Sequence, residues 1–256
     1  MALPFPRPSI LPPGFTMSRC TPADVQGMNE VWYGYMDAFS GSEYTYWWGP
    51  ISAIWSWSEE RIRRRFGDPG TQQFKVVDDT NGAIVAWAKW DPPPQMMGLS
   101  KGFVVYDEAG QPISLDADMN IEEGKGKGEG EGGKATTNCH VLGPPEGANA
   151  ALFKTFFDGI VGMEKKHHAG EKLVLTHLCT RHSYHRRGIG SALLRSVLDL
   201  ADREGLSTYL EATHAGAPLY RRLGYSVVDT LDYDRAEAGF DTPATLFIMV
   251  REPCTT

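Results

Sequence analysis

The sequence predicts a mixed α/β domain in which one β-sheet carries helices on its faces. From residue 148 onward, short runs rich in Leu, Val and Thr alternate with segments whose apolar residues recur at helical spacing. Earlier in the chain, Asn81-Gly82 lies between two β-rich runs, which is a strong hairpin signal. The composition, 41% hydrophobic and 22% charged over 256 residues, is typical of a globular protein that can bury a sizeable core.

The first half of the chain supplies a strand, two helices and the hairpin. A strand is predicted from Phe15 to Cys20, and Thr21-Pro22 provides the N-cap and first-turn proline of a helix. Ser58 is the predicted cap of a second, charged helix. The hairpin is predicted from Gln73–Asp78 and Ala83–Trp90.

Two segments are predicted to lie outside the sheet. Residues 1–13 form a proline-rich N-terminal extension that we expect to lie extended on the surface. Residues 91–147 form a long insertion, in which 103–106 and 112–115 predict a peripheral hairpin. Within it, residues 122–134 are rich in Gly, Glu and Lys and contain no apolar side chain, so a disordered, flexible loop is expected.

The second half of the chain alternates helices and strands and ends in two strands. The predicted elements are a helix over 148–168, a strand over 173–180, a helix that ends at Gly205, a strand over 207–213, a helix over 217–223, and strands over 225–233 and 245–251. No internal repeat interrupts this order. We therefore expect residues 1–256 to form a single domain with an insertion.

Charge and cysteine usage narrow the function classes. The formal net charge of -7 argues against a nucleic-acid binder, since affinity for a duplex is built on Lys and Arg. The four cysteines are scattered without metal-ligand spacing, so we expect no metal, no disulfide framework and a reducing, cytoplasmic location. No apolar run is long enough for a membrane span, so no membrane partner is expected.

A basic, glycine-containing turn joins the strand over 173–180 to the helix that follows it. The turn comprises Arg186, Arg187, Gly188, Ile189, Gly190 and Ser191. Its glycines let backbone N–H groups converge at a helix N-terminus, which is a site for anions and above all for phosphates. A nucleoside-triphosphate P-loop would require Lys and a hydroxyl residue after the last glycine, and a dinucleotide fingerprint would require a third glycine at Leu193. Both of these interpretations fail.

Two motifs in order resemble those of the GNAT superfamily of N-acetyltransferases. His185 through Gly190, followed by Ser191-Ala192-Leu193-Leu194, resembles the family's Gln/Arg-x-x-Gly-x-Gly/Ala pyrophosphate loop, with His185 in place of Gln or Arg. Leu219-Tyr220 through Gly224-Tyr225 is similar to the family's LYxxxG(F/Y) segment. The close match covers residues 172–234. The resemblance implies a GNAT fold, with acetyl-CoA as co-substrate.

The resemblance also implies which residues bind the co-substrate. The backbone N–H groups of Arg186 through Ser191 would hold the pyrophosphate of CoA. In the preceding strand, Leu178, Cys179 and Thr180 fall where the family pairs strand backbone with the pantetheine arm. Cys179 as a nucleophile is the competing hypothesis, and a packing role is the simpler one, since the family transfers the acetyl group directly.

Three side chains are candidates for catalysis. Tyr220 falls on the position that protonates the departing CoA thiolate in many family members, and a phenol is protonated at neutral pH. Its alternative role is packing under the cofactor. His177 and Glu211 lie on the two central strands, and either could deprotonate the acceptor amine directly or through water. A structural role for each remains an equal alternative.

The acceptor is expected to be a small amine, aromatic or apolar in character. An aromatic stretch from Tyr44 to Trp57 contains candidates for an acceptor wall, namely Tyr46, Trp47, Trp48 and Trp55. The same rings could instead pack helix against helix. Two other functions remain open: protein or peptide N-acetylation, and a CoA-binding module without turnover. The sequence leaves the oligomeric state open.

Overall fold

A computed structural model describes residues 3–39, 48–100, 104–113, 142–234, 236–238 and 241–254. The strands are β1 (Phe15–Arg19), β2 (Gln72–Asp78), β3 (Ile84–Asp91), β4 (Val105–Tyr106), β5 (Pro112–Ile113), β6 (Leu173–Thr180), β7 (Thr208–Ala212), β8 (Ser226–Tyr233) and β9 (Ala244–Arg251). The α-helices are α1 (Val25–Phe39), α2 (Ile51–Arg64), α3 (Met97–Ser100), α4 (Ala150–Lys166), α5 (Ile189–Arg203) and α6 (Ala217–Arg222).

Seven strands form one sheet in the order β1-β2-β3-β6-β7-β9-β8, and β4 pairs with β5 apart from it. Neighbouring strands are antiparallel except β6 and β7, which run parallel. A parallel pair needs a crossover, and α5 supplies it. The predicted mixed sheet flanked by helices is therefore confirmed.

The parallel pair separates after a short contact. β6 and β7 are in register only at Leu173–Thr208, Val174–Tyr209 and Leu175–Leu210. From Thr176 to Thr180, β6 continues with β3 on one edge, and none of the strands in the described residues pairs with its other edge. The sheet therefore opens between β6 and β7, directly before the glycine-containing turn.

One face of the sheet is covered by α5 and by the N-terminal segment. The buried stripe of α5 includes Leu193, Leu194 and Val197, which follow helical spacing. Phe5 and Leu11 are buried in the same core, and the Phe5 ring lies 5.1 Å from that of Phe74. The prediction that residues 1–13 lie on the surface is therefore wrong for these two side chains, because their apolar area is buried against β2.

The opposite face is covered by α1, α2 and α4. Met28 and Val31 of α1 and Ile54 of α2 are buried there with Trp87. The Trp87 indole Nε1–H donates to the Met28 carbonyl at 2.9 Å, which satisfies the buried ring nitrogen. This contact fixes α1 against the centre of the sheet.

Helix α4 approaches the outer strands closely at a glycine. A Cβ added at Gly159 would lie 3.2 Å from the Leu231 methyl groups and from the Tyr233 hydroxyl oxygen. The Tyr233 hydroxyl donates to the Phe156 carbonyl at 3.0 Å. Glycine therefore permits the close contact between α4 and β8.

The second helix begins earlier than the sequence predicts. α2 starts at Ile51, so Ser58 lies inside it and is not its N-cap. The Ser58 hydroxyl hydrogen-bonds to the Asn29 side chain of α1, and Asn29 Nδ2 donates to the Trp55 carbonyl at 3.1 Å. Ser58 thus satisfies a buried amide between two helices instead of a helix end.

The insertion contributes α3 and the small β4–β5 hairpin, which lies where the sequence predicts it. Residues 122–134, the predicted flexible loop, lie outside the described residues.

Replacing Ser58 by Ala should destabilise the protein by about 1–3 kcal/mol, because the buried Asn29 Oδ1 loses the Ser58 hydroxyl that donates to it. Urea unfolding measures the change. Ser56→Ala is the matched control, since Ser56 is exposed on the same helix and should change the free energy of unfolding by less than about 0.5 kcal/mol. Equal effects of the two substitutions would contradict the interhelical role.

Candidate active site

The turn between β6 and α5 has the geometry of an anion-binding loop. Gly188 is the N-cap of α5 with φ 80° and ψ -4°. Arg186 also has a positive φ, 61°, which a non-glycine residue adopts at a cost of about 1–2 kcal/mol. Ile189 is fully buried in the core and anchors the first turn of the helix. The backbone therefore curls tightly at the N-terminus of α5.

The turn is braced against β2, β3 and α1. Arg181 donates through Nε to the Ile84 carbonyl at 2.8 Å and through Nη2 to Glu30 at 2.7 Å. The Tyr184 hydroxyl donates to Asp78 Oδ2 at 2.9 Å. Hydrogen bonds from Thr80, from its side chain and backbone, and then from Tyr184 lower the pKa of Asp78. These contacts hold the turn in place before any ligand arrives.

Backbone N–H groups in this turn are available to a ligand. Within the described part of the chain, the N–H groups of Arg186 through Ser191 have no protein acceptor. A Cβ added at Gly190 would meet Leu219 and Thr180 at 3.8 Å, which is ordinary contact. The turn therefore fits the pyrophosphate of CoA, which would accept hydrogen bonds from these groups.

His185 replaces the usual Gln or Arg and has a structural contact. Its Nε2–H donates to the Thr180 carbonyl at 2.8 Å. This bond ties the turn to the last residue of β6 and leaves the N–H groups of the following residues unaffected.

The open edge of β6 presents backbone groups to the gap. The Arg181 N–H donates to the Val85 carbonyl of β3 at 2.8 Å, and strand alternation then directs the Cys179 peptide groups to β3 as well. The Leu178 peptide groups and the Thr180 N–H therefore face the gap, whereas the Thr180 carbonyl accepts from His185. These two residues, of the three expected, can pair with an extended chain such as pantetheine.

Cys179 has the properties of a packing residue. Its side chain is 3% exposed, and burial raises the pKa of its thiol to about 12. A thiol that is neutral at physiological pH is a poor nucleophile.

Tyr220 and Glu211 lie on opposite faces of the sheet. Tyr220 of α6 belongs to the core under α5, together with Ala212, and Leu178 packs against that core. A Cβ added at Gly216 would lie 3.0 Å from Tyr220 Cε2, so a glycine leaves room for the ring. Along β7, Leu210 and Ala212 face α5, so Tyr209 and Glu211 face α4.

His177 lies on the same face as Glu211 but in a cationic environment. Its ring stacks on Trp87 with centroids 5.5 Å apart, and Arg65 Nη2 lies 3.4 Å from His177 Nε2. Burial, followed by the charges of Arg65, Arg61 and Lys89, holds the pKa of His177 well below its usual range. The imidazole is therefore neutral and binds a proton weakly.

Glu211 lies in an environment that favours its protonated form. Burial, followed by the charge of Glu164 on α4, raises the pKa of Glu211 to about 8. Its Oε1 is buried and has no hydrogen-bond partner among the described residues. The Tyr209 hydroxyl lies beside it, outside normal hydrogen-bonding geometry, and the Glu211 carboxylate contributes to raising the pKa of that phenol after burial itself.

The predicted acceptor wall is only partly described. Tyr46 and Trp47 lie outside the described residues. Trp48 packs against α4, with ring centroids 5.5 Å from Phe153, 5.8 Å from Phe156 and 6.0 Å from Phe157. Trp55 is half-buried on α2. An aromatic cluster of Trp48, Trp57, Phe153, Phe156 and Phe157 thus joins α2 to α4.

Sequence reasoning missed several charged residues on the face of Glu211. Glu164 is 5% exposed, Arg65 is buried, and Lys89 forms a buried ion pair with Asp91. A local signal existed for Glu164: it continues the spacing of the buried Phe157 and Ile160 along the apolar stripe of α4. Arg65 gave no such signal, because its contact with His177 is made across the fold.

Comparison with known families identifies part of the chain. Residues 150–227 match the family model described as acetyltransferase (GNAT) domain. No curated protein matches the chain. In the described ranges, no helix has the length and apolarity to cross a bilayer, and no group of three His, Cys, Asp or Glu side chains could hold a metal ion.

Solved structures share the fold at low sequence identity. One is described as histone acetyltransferase HPA2 and related acetyltransferase from Corynebacterium glutamicum, with 18% identity and a TM-score of 0.53 over 95% of this chain and 98% of that one. Another is a mosquito arylalkylamine N-acetyltransferase like 5b, with 11% identity and a TM-score of 0.51 over 93% of this chain and 99% of that one. At these identities, the likeness shows the fold alone.

Glu211→Gln should reduce the loss of stability between pH 5 and pH 8. The folded-state pKa of Glu211, about 8, lies above the unfolded value, so the wild-type protein loses stability as the pH rises through this interval. Urea unfolding at both pH values should show a loss at least about 1.4 kcal/mol larger in the wild type, equivalent to one pKa unit. The exposed Glu108→Gln control should behave as the wild type. A variant curve parallel to the wild-type curve would refute the raised pKa.

Proposed function

We propose that this chain is a GNAT acetyltransferase that takes its acetyl group from acetyl-CoA and acetylates a small aromatic or apolar amine by direct attack in a ternary complex, since residues 150–227 match the GNAT domain model. The observation that carries this proposal is the opening between β6 and β7, which joins the turn to both faces of the sheet. In direct transfer, the amine nitrogen forms a bond to the thioester carbonyl carbon, and the C–S bond then breaks. One group must accept a proton from the amine, and another must supply one to the thiolate.

The turn and β6 provide the donor site. N–H groups from Arg186 to Ser191 would bind the pyrophosphate, assisted by the N-terminus of α5. The Leu178 peptide groups and the Thr180 N–H would pair with the pantetheine arm. Arg187, held over the Tyr184 ring at 4.8 Å, adds positive charge at the mouth of the site.

Glu211 is the better candidate for the general base. A base that works near neutral pH needs a pKa near the operating pH, and the pKa of Glu211 is about 8. His177 has its pKa held well below the usual range by burial and then by Arg65, Arg61 and Lys89, so it would not retain the proton. We assign proton acceptance to Glu211, with His177 as a neutral neighbour.

Tyr220 is the candidate for the general acid. It lies on the face of the sheet opposite Glu211, so the proposal puts the two proton transfers on opposite sides of the thioester. A protonated phenol can donate to the departing thiolate.

The aromatic cluster supports an apolar or aromatic acceptor. Phe156 continues to Tyr233 with ring centroids 4.9 Å apart, and Tyr233 lies on the same face as Glu211. A row of rings thus leads from Trp48 toward the proposed base. Such a row would hold the apolar part of an amine while its nitrogen faces the carboxylate.

The direct test is thiol release from acetyl-CoA in the presence of amines, amino acids and peptides. The proposal expects release that depends on small apolar or aromatic amines and rises with pH through about 8. Transfer confined to peptides, or CoA binding without turnover for any acceptor, would overturn it.

Gly190→Glu should abolish CoA binding and leave the melting temperature nearly unchanged. The added carboxylate would occupy the space proposed for the pyrophosphate and would repel it, because both groups are negatively charged. Its Cβ makes only ordinary contacts with the protein. Calorimetric titration with CoA measures the loss. Gly162→Glu adds the same charge at an exposed helical glycine with open space around it, and should bind CoA as the wild type does. Unchanged affinity in Gly190→Glu would refute the donor site.

Tyr220→Phe should lower kcat by about 100-fold or more and leave CoA affinity nearly unchanged, because only the donated proton is lost. Steady-state kinetics and CoA titration measure the two quantities. Tyr225→Phe removes the hydroxyl of the neighbouring ring, 5.9 Å away between centroids, and should retain activity. Equal kcat in the Tyr220 variant and the wild type would exclude the acid role.

A further inference from the structure

A buried ion pair that the proposed reaction does not use lies beside the point at which β6 and β7 separate. Lys89 of β3 is 2% exposed and pairs with Asp91, which is also buried. The Thr71 hydroxyl donates to Asp91 Oδ1 at 2.9 Å, so the carboxylate has a second partner. A lysine is seldom buried to this degree unless it is paired, and the pair accounts for only one of its hydrogen bonds.

The Lys89 ammonium also donates to β6. Its Nζ lies 3.1 Å from Thr176 Oγ1, and the same hydroxyl lies 3.5 Å from the Lys89 carbonyl oxygen. The Thr176 hydroxyl is therefore held between the side chain and the main chain of one residue on β3. This contact connects the buried ion pair to the strand that carries the proposed pantetheine edge.

Thr176 is the extra residue of a β-bulge. Leu175 pairs with Trp90 of β3. The next pair is His177 with Lys89, so Thr176 has no opposite residue on β3. The last pair between β6 and β7 is also made at Leu175. The bulge and the separation of the two strands therefore occur at the same place in β6.

The bulge changes the direction in which the rest of β6 faces. Leu175 and Leu178 both belong to the core under α5, although regular alternation places residues three apart on opposite faces. His177 stacks on Trp87, which belongs to the core under α1 and α2. The same shift by one residue determines that the Leu178 peptide groups and the Thr180 N–H face the gap.

We propose that Lys89 is a positioning residue for CoA, because its hydrogen bond to Thr176 holds the bulge that directs the open edge of β6 toward the pantetheine arm. This inference rests on the proposed donor site at the turn and at β6. It assigns no chemical step to the lysine.

The physical argument concerns the register of β6. An ammonium that donates to a hydroxyl inside a sheet forms a charge-assisted hydrogen bond, which is stronger than a bond between neutral groups. Asp91 fixes the ammonium, so the Thr176 hydroxyl meets a donor in a defined position. Without this bond the bulge can move along β6, and a slip of one residue turns side chains and peptide groups to the opposite side.

The first test separates the pantetheine arm from the rest of the cofactor. Thr176→Val removes the hydroxyl and keeps the branched shape, and it should weaken CoA binding by about five-fold or more. 3′-Phosphoadenosine 5′-diphosphate, which is CoA without its pantetheine arm, should bind with wild-type affinity, because the turn is unchanged. Thr176→Ser keeps the hydroxyl and should bind CoA as the wild type does. Calorimetric titration measures each affinity.

Thr71→Val is the matched control, since it removes a buried hydroxyl that bonds to the same ion pair from the start of β2. It should lower the melting temperature and leave CoA affinity unchanged. Equal weakening of CoA binding in the two valine variants would indicate a merely structural role and overturn the proposal. Unchanged CoA affinity in Thr176→Val, or an equal loss for CoA and for 3′-phosphoadenosine 5′-diphosphate, would overturn it as well.

Lys89 itself is tested together with its acid. The double variant Lys89→Met, Asp91→Asn avoids a buried, unpaired carboxylate. Adding Thr176→Val to it should cause no further loss of CoA affinity, because the donor is already absent. A further loss as large as in the wild-type background would exclude the role of Lys89. The threonine variants keep the ion pair, so they decide the proposal even where the double variant does not fold.

The second test needs no cofactor. In the ligand-free protein, Thr176→Val should speed amide hydrogen exchange at Cys179, whose peptide groups are directed to β3, by about five-fold or more. Thr71→Val should leave that exchange rate unchanged. Exchange at the wild-type rate in Thr176→Val would overturn the inference. If the wild type binds neither CoA nor 3′-phosphoadenosine 5′-diphosphate, the proposed donor site fails, and the exchange rates still decide whether the contact at Thr176 holds β6.

Discussion

The separation of β6 from β7 after three residue pairs is the constraint on which the rest of the site depends. A continuous sheet would occupy its own backbone groups and would divide one face from the other. Because the pair opens at Thr176, the Leu178 peptide groups and the Thr180 N–H are not used by the sheet and could bind a ligand. The turn at Arg186 to Ser191 then stands at the end of this opening, with its N–H groups directed to the same ligand.

The two faces of the sheet are chemically different at this opening. Under α5 and α6 the surroundings of Tyr220 are apolar, with buried Ala212 and Ala217 in the same core. On the other face, buried charges are separated into a cationic group around His177 and an acidic group around Glu211. Burial, and then this separation of charges, shifts the pKa values of the two candidate bases in opposite directions, which is the reason for proposing Glu211 and not His177 as the base.

Sequence reasoning succeeded wherever the information was local. The hairpin at Asn81-Gly82, the end of α5 before Gly205 and the periodicity of α5 each depend on a few neighbouring residues, and the structure contains all of them. The prediction that Ser58 caps the second helix was wrong, because its hydroxyl hydrogen-bonds to Asn29 on α1 and does not cap a helix end. The prediction that residues 1–13 lie on the surface was also wrong for Phe5 and Leu11. A proline-rich composition predicts an extended backbone, but it does not indicate whether individual side chains of the segment are buried.

The sequence by itself predicted the mixed α/β fold, the glycine-containing turn before α5 and the motif that contains Tyr220. Each of these depends on residues that are neighbours in the chain and that act directly on the local backbone conformation. Only the tertiary structure gives a reason to propose Glu211 and not His177 as the base. Burial first, and then the charges of Arg65 and Lys89 at His177 and of Glu164 at Glu211, shift the pKa values of the two residues, and these charged residues lie far from them in the chain. Burial and charge act through distance, and a sequence does not record those distances.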